Sequence, residues 1–298
     1  MSDSTVHAIA GAGGGIISMA LTYPLITISS RQQVQKNGKS KDAYKSTLDA
    51  VQKIVAKEGI AGLYSGLDSA LFGISLTNYC YYYFYEFTKS VINKAQMSTI
   101  ESMSAGAVAG AATVLITNPI WVINTRIATR NAGTPDQKPL GTIETAAQMI
   151  KEGGLKTFWQ GVAPALILVA NPIIQYTVFE KFKAKIAKTR ALTSFDFFLL
   201  GAISKLAATS ITYPYIVVKS RMQLKKSDDA KERYDSIMDG FRKIIKYEGV
   251  AGLYKGISSK IVQSILTASF LFMAQAKLVD YVARLLVSLG VRAQPKRI

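Results

Sequence analysis

Three polar residues interrupt apolar segments in the last third of the chain. Related positions earlier in the sequence carry small or apolar residues instead. Lysine ammonium groups form strong, charge-assisted hydrogen bonds with phosphate and carboxylate oxygens. The residues found 95 and 190 positions earlier are Gly110 and Gly15 for Lys205, Ala165 and Ala70 for Lys260, and Leu168 and Gly73 for Gln263. Because a small ligand is asymmetric, this local break in a repeating pattern predicts that Lys205, Lys260 and Gln263 bind an anionic substrate.

The depth of these residues supports that prediction. Lys205 lies nine residues before Pro214, which is about 13 Å along a helix at 1.5 Å per residue. Lys260 and Gln263 stand three residues apart, on one helical face. The alternative is that both lysines extend to the membrane interface or pair with a carboxylate. Since no acidic residue lies at this depth of any segment, phosphate binding is the favoured interpretation.

Weaker candidates complete the predicted binding site. Gly73 is either a packing glycine or a flat surface for a base, Asn78 and Asn171 could bond a base or a ribose, and Arg126 could bind phosphate. A run of five tyrosines is too crowded for all of them to face one cavity, so interfacial anchoring is expected for most; they are Tyr79, Tyr81, Tyr82, Tyr83 and Tyr85.

A period of 95 residues organises the elements that must position these side chains. It relates Pro24, Pro119 and Pro214, then Arg31, Arg126 and Arg221, and then Gly66, Gly161 and Gly256. Each repeat is a unit that buries its apolar face against its neighbours. The period predicts three tandem units, at residues 1–95, 96–190 and 191–298.

Each unit contains two apolar stretches of roughly twenty residues, which is the length that crosses a hydrocarbon core. Between them lie a short amphipathic run, a Glu-Gly pair (Glu58-Gly59, Glu152-Gly153 or Glu248-Gly249) and an aromatic-x-Gly turn. The hydrophobic fraction of 49% and the mean hydropathy of +0.19 favour a membrane protein over the alternative, a soluble helical repeat protein. An all-α protein with six spanning helices and three short surface helices is therefore predicted, with the polar residues facing a cavity.

Charge and composition limit the functions that remain. The formal charge of +17 predicts contact with lipid headgroups and an anionic small substrate, because no nucleic-acid module is visible. The single cysteine, Cys80, and the single histidine, His7, exclude a Cys/His metal site and histidine-based catalysis. Neither an enzyme nor a bound cofactor or metal is expected.

The three copies of proline, basic end, Glu-Gly and aromatic-x-Gly resemble the mitochondrial carrier family of solute transporters over essentially the whole chain. That resemblance implies a pseudo-threefold barrel of six tilted helices, a central binding site and alternating access. The segments TNPIWVINTR, GAISKLAATSITYPYIVVKSR and KIVQSILTA resemble the peroxisomal carriers most. Those relatives exchange adenine nucleotides or move CoA, FAD and NAD.

The resemblance leads to one expectation and one alternative. We expect a monomeric antiporter in the lipid bilayer of the peroxisome, carrying adenine nucleotides such as ATP, ADP and AMP or nucleotide cofactors. The alternative is a carrier of NAD, FAD, CoA or folate, possibly in the mitochondrial inner membrane. The exact substrate, strict exchange against uniport, and the orientation in the membrane stay open at this point.

The two predicted gates depart from the family pattern. After each proline the family's acidic position holds Ile26, Trp121 or Ile216, and its basic position holds Ser29, Asn124 or Lys219. A ring of ion pairs cannot form there, so closure of this end, the proline side, must rest on apolar contacts and on Gln33 and Gln223. The gate residues predicted for the proline side are Arg31, Arg221, Lys219 and Trp121, with helix hinges at Pro24, Pro119 and Pro214.

On the opposite side the family's aromatic-acid-x-x-base motif is retained in two copies. The acid and base are Glu86 and Lys89 in the first unit and Glu180 and Lys183 in the second. The third copy reads Ala274-Gln275-x-x-Leu278. At most a partial ring of ion pairs is predicted for this gate.

Overall fold

The computed structural model describes residues 3–35, 43–92, 97–129, 140–224 and 234–267. The third copy of the acid-base motif, at 274–278, lies outside these residues. Residues 27–257 form one compact unit, called here the large unit, and residues 1–26 with those from 258 onward form a small unit.

Helices account for nearly all of the described chain, which contains no strand. Short 3-10 helices follow the three surface helices at Ile60–Tyr64, Leu155–Trp159 and Val250–Tyr254. The α-helices are α1 (Asp3–Val34), α2 (Thr47–Glu58), α3 (Leu67–Ile92), α4 (Thr99–Thr129), α5 (Thr142–Gly153), α6 (Val162–Leu168), α7 (Asn171–Ala187), α8 (Ser194–Met222), α9 (Ile237–Glu248) and α10, described over 257–267.

The same order of elements occurs three times: a long helix, a short surface helix, a 3-10 turn and a second long segment. The predicted all-α class with three tandem repeats is confirmed. Pro24, Pro119 and Pro214 lie inside the continuous helices α1, α4 and α8. Because proline lacks an amide hydrogen, each removes one backbone hydrogen bond from its helix. Their role as hinges stays a prediction.

The second long segment of repeat two is divided, unlike the single helix predicted from its apolar pattern. Helix α6 ends at Leu168 and α7 begins at Asn171. Pro172, in the first turn of α7, explains the division, because proline disfavours helical backbone in the residue before it and cannot donate to the preceding turn. The backbone of Val169 and Ala170 bonds instead to Leu166 and Ile167, three residues back.

Two segments of the described chain are long and apolar enough to cross a membrane. They are Thr99–Thr129, which is α4, and Leu155–Ala187, which includes α6 and α7. The pair Thr47–Glu58 and Ile60–Ile92 meets the same criterion jointly and is bent by 117°. The bend is the turn from a surface helix into a spanning helix.

The N-termini of the three surface helices, α2, α5 and α9, are capped by side-chain hydrogen bonds, with a serine in α2 and α9 and with a glutamate in α5. Ser46 and Ser236 accept hydrogen bonds from the amides of Asp49 and Asp239, and the carboxylate of Glu144 accepts one from the amide of Gly141. Each helix is followed by a glycine at positive φ, a conformation that suits glycine; these are Gly59 (68°), Gly154 (67°) and Gly249 (70°).

These glycines correct one detail of the repeat alignment. The equivalent of Gly59 is Gly154, 95 residues on, and not Gly153. The pairing of Glu152-Gly153 with the other Glu-Gly pairs is therefore wrong by one residue. Glu152 lies one position before the equivalents of Glu58 and Glu248, which changes the ion pair that it forms.

Candidate functional site

A cavity of about 840 Å³ opens among α3, α4, α6 and α7 of the large unit, with one residue contributed by α8. Its lining is mostly small, apolar or aromatic. It consists of Thr77, Tyr81, Tyr82, Tyr85, Met97, Thr99, Ser102, Met103, Gly106, Ala107, Gly110, Thr113, Val114, Ala165, Leu168, Val169, Pro172, Ile173, Tyr176 and Lys219. A volume of this size lies within the range of pockets that bind small molecules and cofactors.

Among the described residues, the cavity has one charged lining residue, and it lies at the cavity floor. Lys219 is partly buried near the end of α8, and its ammonium group has no hydrogen bond or ion pair among the described residues. Close to the floor, the indole Nε1 of Trp121 donates to Thr77 Oγ1 at 3.0 Å. The indole also covers Gly73, where an added Cβ would lie 3.5 Å from the ring.

Tyrosines form the wall farther from the floor. The rings of Tyr81 and Tyr85 are stacked, with centroids 6.1 Å apart and planes 17° apart. Tyr82 and Tyr176 line the same space. Along α4 the lining runs from Thr99 to Val114, which is about 22 Å of helix at 1.5 Å per residue. Among the described residues the cavity therefore combines a long wall of small residues on α4, a cluster of tyrosines from α3 and α7, and a single cation.

The ends of α1, α4 and α8 are joined on the proline side by hydrogen bonds from arginine to backbone. Each arginine Nε donates to the carbonyl oxygen two residues beyond the arginine of the next repeat. The bonds are Arg31 to Ala128 (2.9 Å), Arg126 to Gln223 (3.2 Å) and Arg221 to Gln33 (3.0 Å). These six residues are called the arginine ring below.

Each arginine of the ring also binds a glutamate of its own repeat. Arg31 holds Glu58 through two bonds of 2.5 and 2.7 Å, and Arg221 holds Glu248 through two of 2.5 and 2.9 Å. Arg126 makes one bond to Glu152, at 3.0 Å. The single bond follows from the one-residue offset of Glu152, and Arg126 uses another nitrogen to reach Gln160.

Glutamine side chains add further links between repeats. Ser220 donates to Gln33 Oε1 at 2.8 Å, and Gln33 Nε2 donates to the hydroxyl of Tyr213 at 3.3 Å. Thr125 donates to Gln223 Oε1 at 2.9 Å. Gln33 and Gln223, selected from the sequence for this gate, thus lie between helices of different repeats.

The charged pairs of the opposite gate are local. Glu86 and Lys89 lie 3.7 Å apart and Glu180 and Lys183 lie 3.1 Å apart, and each pair lies within one helix. All four side chains are more than a third exposed. The large unit is thus joined on the proline side, while these residues do not link repeats on the other side.

The other predicted binding residues of the large unit lie in different surroundings. Lys205 is exposed on α8 and is outside the cavity lining, and Asn78 is exposed on α3. Asn171 donates to Thr212 Oγ1 at 2.7 Å and so connects α7 with α8. Gly73 is covered by Ile120 and Trp121, so it offers no open surface for a base in this conformation. Arg126 belongs to the arginine ring.

Lys260 and Gln263 belong to the small unit, one turn apart on α10. Lys260 is partly buried. Gln263 is buried, its Nε2 donates to Thr267 Oγ1 at 2.8 Å, and its Oε1 has no partner among the described residues. Ser18 of α1 donates to the carbonyl of Thr267 at 2.6 Å.

Sequence reasoning missed two features of the cavity. Lys219 was assigned to the gate from its place in the family motif, and its place in the cavity lining was not anticipated; its gate role stays a prediction. Tyr81 and Tyr176 both line the wall, and their separation of 95 residues was a usable signal within the tyrosine run. The repeat-two equivalents of Lys205, Lys260 and Gln263, which are Gly110, Ala165 and Leu168, also line the cavity.

Comparison with known proteins identifies the family. The family described as mitochondrial carrier protein matches three times, over residues 2–96, 95–190 and 191–285. The chain therefore belongs to the mitochondrial carrier family, whose members are transporters. The resemblance stated from the sequence is confirmed.

Similar relatives place the chain among the peroxisomal members of the family. The chain is 39% identical to the peroxisomal nicotinamide adenine dinucleotide carrier of Arabidopsis thaliana, over 97% of this chain and 98% of the relative. It is 38% identical to the peroxisomal membrane protein PMP47B of Candida boidinii (93% and 86%) and 34% identical to the peroxisomal membrane protein PMP34 of Mus musculus (93% and 92%). The predicted location, a multi-pass protein of the peroxisomal membrane, is confirmed.

Proposed function

We propose that the chain exchanges adenine-containing nucleotides or nucleotide cofactors across the peroxisomal membrane by alternating access, with NAD as the first substrate to test. The observation that carries the proposal is the composition of the cavity. Stacked tyrosines offer faces for flat rings, and the one charged lining residue, Lys219, offers a partner for phosphate. A nucleotide presents both groups in one molecule.

The cavity length permits a dinucleotide as well as a mononucleotide. NAD carries a heteroaromatic ring at each end and two phosphates between them, which suits a long cavity with a tyrosine cluster and a lysine in its lining. The name of the Arabidopsis relative, a carrier of nicotinamide adenine dinucleotide, supports NAD.

Adenine mononucleotides are the second candidate, because ATP and ADP carry more negative charge than NAD. The additional lysines of repeat three, Lys205 and Lys260, favour a highly charged substrate if they face the transport path in another conformation. Their equivalents in repeat two, Gly110 and Ala165, line the cavity, which supports that placement.

Reconstitution in liposomes tests the proposal directly. Purified protein is inserted into vesicles loaded with NAD, ATP, ADP, AMP, CoA, FAD or folate, and uptake of labelled NAD and of labelled ATP is measured. Exchange predicts uptake only when a transported compound is inside. Protein-free vesicles give the leak. Absence of uptake with every compound would overturn the nucleotide assignment, and equal uptake into unloaded vesicles would replace exchange by uniport.

A further inference from the structure

We infer that Lys219 is a substrate-binding residue that holds an anionic phosphate group at the cavity floor, rather than a member of a gate ion pair. The inference rests on the proposed function for the identity of the substrate. It comes from comparing three equivalent positions, 29, 124 and 219, which hold serine, asparagine and lysine.

All three positions contact the aromatic-x-Gly turn of the preceding repeat. A Cβ added at Gly256 would lie 3.0 Å from the carbonyl oxygen of Ser29, and one added at Gly161 would lie 3.1 Å from that of Lys219. Asn124 meets the corresponding turn at Gly66. Each of the three positions thus lies against the same turn of the preceding repeat, and their side chains differ.

The two short side chains are used within the protein. Asn124 Nδ2 donates to the carbonyl of Gly66 at 2.8 Å and to Ser69 Oγ at 3.1 Å. Ser29 Oγ accepts from Gln33 Nε2 at 3.0 Å and lies 3.5 Å from the carbonyl oxygen of Gly256. Both side chains are therefore engaged in hydrogen bonds within the protein.

Lys219 differs because its longer side chain leaves the turn and reaches the cavity. The described residues give its ammonium group no acceptor, and no acidic residue belongs to the cavity lining. The nearby glutamates Glu58, Glu152 and Glu248 are each paired with an arginine. The acidic positions of the family motif hold Trp121 and Ile216 in this unit, so the motif supplies no carboxylate either.

An unpaired cation in a partly buried site is costly, and an anion that enters the cavity removes that cost. A phosphate oxygen is the acceptor that the site lacks. The tyrosine wall begins one helical turn beyond Thr77, at Tyr81, so a ligand held by Lys219 would extend its rings toward the stacked tyrosines.

Inorganic pyrophosphate probes this site independently of transport. Thermal unfolding of the purified protein in detergent is followed with increasing pyrophosphate for wild type, Lys219→Gln, Lys219→Met and Lys219→Arg. We expect the apparent affinity to fall by about tenfold or more in the first two variants and to be largely restored by arginine. Lys246→Gln, which removes an exposed charge on surface helix α9, is the matched control and should bind as wild type does.

Basal stability separates the two roles of Lys219. If it belonged to an ion pair, Lys219→Met would lower the unfolding temperature without ligand. If Lys219 is unpaired, its removal should leave this temperature unchanged or raise it. Methionine keeps the apolar length of the lysine side chain, so Lys219→Met serves as a second neutral variant if Lys219→Gln impairs folding. The inference would be overturned if pyrophosphate did not stabilise the wild type, or if it stabilised the wild type, Lys219→Gln and Lys219→Met equally.

Uptake of labelled NAD separates this inference from the proposed function. If wild type and Lys219→Gln take up NAD with the same KM, the substrate role of Lys219 is refuted while the proposed function stands. If wild type transports no nucleotide yet pyrophosphate stabilises it through Lys219, the anion site stands and the nucleotide assignment fails.

Discussion

Neutralising the three glutamates bound to the arginine ring should destabilise the protein to three different extents. The substitutions are Glu58→Gln, Glu152→Gln and Glu248→Gln, which are chemically identical and occupy related sites. Any difference among them must therefore come from local geometry.

The structure sets the order of the three effects. Glu248 and Arg221 have side chains only 5% and 0% exposed, joined by two hydrogen bonds, and Lys255 adds a contact of 2.8 Å. Removing the charge leaves two cations without their carboxylate, and breaking a buried pair costs about 3 to 5 kcal/mol. Because glutamine keeps part of the hydrogen bonding, we expect about 3 kcal/mol.

The other two glutamates should cost less. Glu58 has the same two bonds to Arg31 but no ion pair with a second cation is seen among the described residues, so about 2 kcal/mol is expected. Glu152 makes one bond to Arg126 and is 18% exposed, which places it nearer the range for surface pairs, about 1 kcal/mol.

Thermal unfolding in detergent measures this order. For a chain of this size each kcal/mol shifts the midpoint by about 2 °C, so reductions near 6, 4 and 2 °C are expected for Glu248→Gln, Glu58→Gln and Glu152→Gln. Equal shifts for the three variants, or the largest shift for Glu152→Gln, would refute the argument from hydrogen-bond number and burial.

Three further predictions concern the pH dependence of Glu248, a backbone glycine and the lysines of repeat three. Burial raises the pKa of Glu248, but hydrogen bonds from Arg221 and Lys255 outweigh it and hold the pKa below its ordinary value of 4.5. The stability that this carboxylate contributes is therefore complete above pH 4.5 and is lost as pH falls through the lowered pKa. The Glu248→Gln variant should lack this acid-dependent loss of stability. Gly161→Ala should lower the unfolding midpoint by several degrees, because φ is +72° and the new Cβ would lie 2.9 Å from Gln223 Cγ, whereas alanine at the open, α-helical position Gly201 should not. Lys205→Ala and Lys260→Ala should each lower nucleotide uptake by about tenfold with little effect on unfolding, and near-normal uptake by the double variant would remove both from the binding site.

The repeats, the helices and the arginines were predictable because each depends on residue type and spacing. The partners of the arginines were not. Their Nε groups bond to backbone carbonyls of Ala128, Gln223 and Gln33, and a carbonyl is present at every residue, so the sequence carries no mark of the acceptor. The offset of Glu152 was missed for a different reason: a Glu-Gly pair occurs in all three repeats, although the 95-residue period aligns Gly154, and not Gly153, with Gly59, as the positive φ of Gly154 confirms.

The binding residues were harder to predict than the fold. The repeat symmetry identifies which positions are equivalent, but not which of them are open to the cavity. Gly110, Ala165 and Leu168 line the cavity, so the positions inferred from repeat three face it in repeat two. Gly73 occupies an equivalent position in repeat one, yet Trp121 covers it. Whether an equivalent position is open therefore depends on a neighbouring side chain of another repeat, which the spacing alone does not specify.

Backbone acceptors also explain how the gate can lack the family's acidic residues. A ring that closes through carbonyl groups requires only the three arginines, so positions 121 and 216 are free to hold tryptophan and isoleucine. The same freedom leaves Lys219 without a carboxylate partner among the described residues. The repeats are thus joined by groups that occur three times, while under the proposed function recognition of a substrate depends on side chains that occur once. An asymmetric nucleotide can distinguish the three repeats only through such side chains, and Lys219 is the charged one that the described cavity presents.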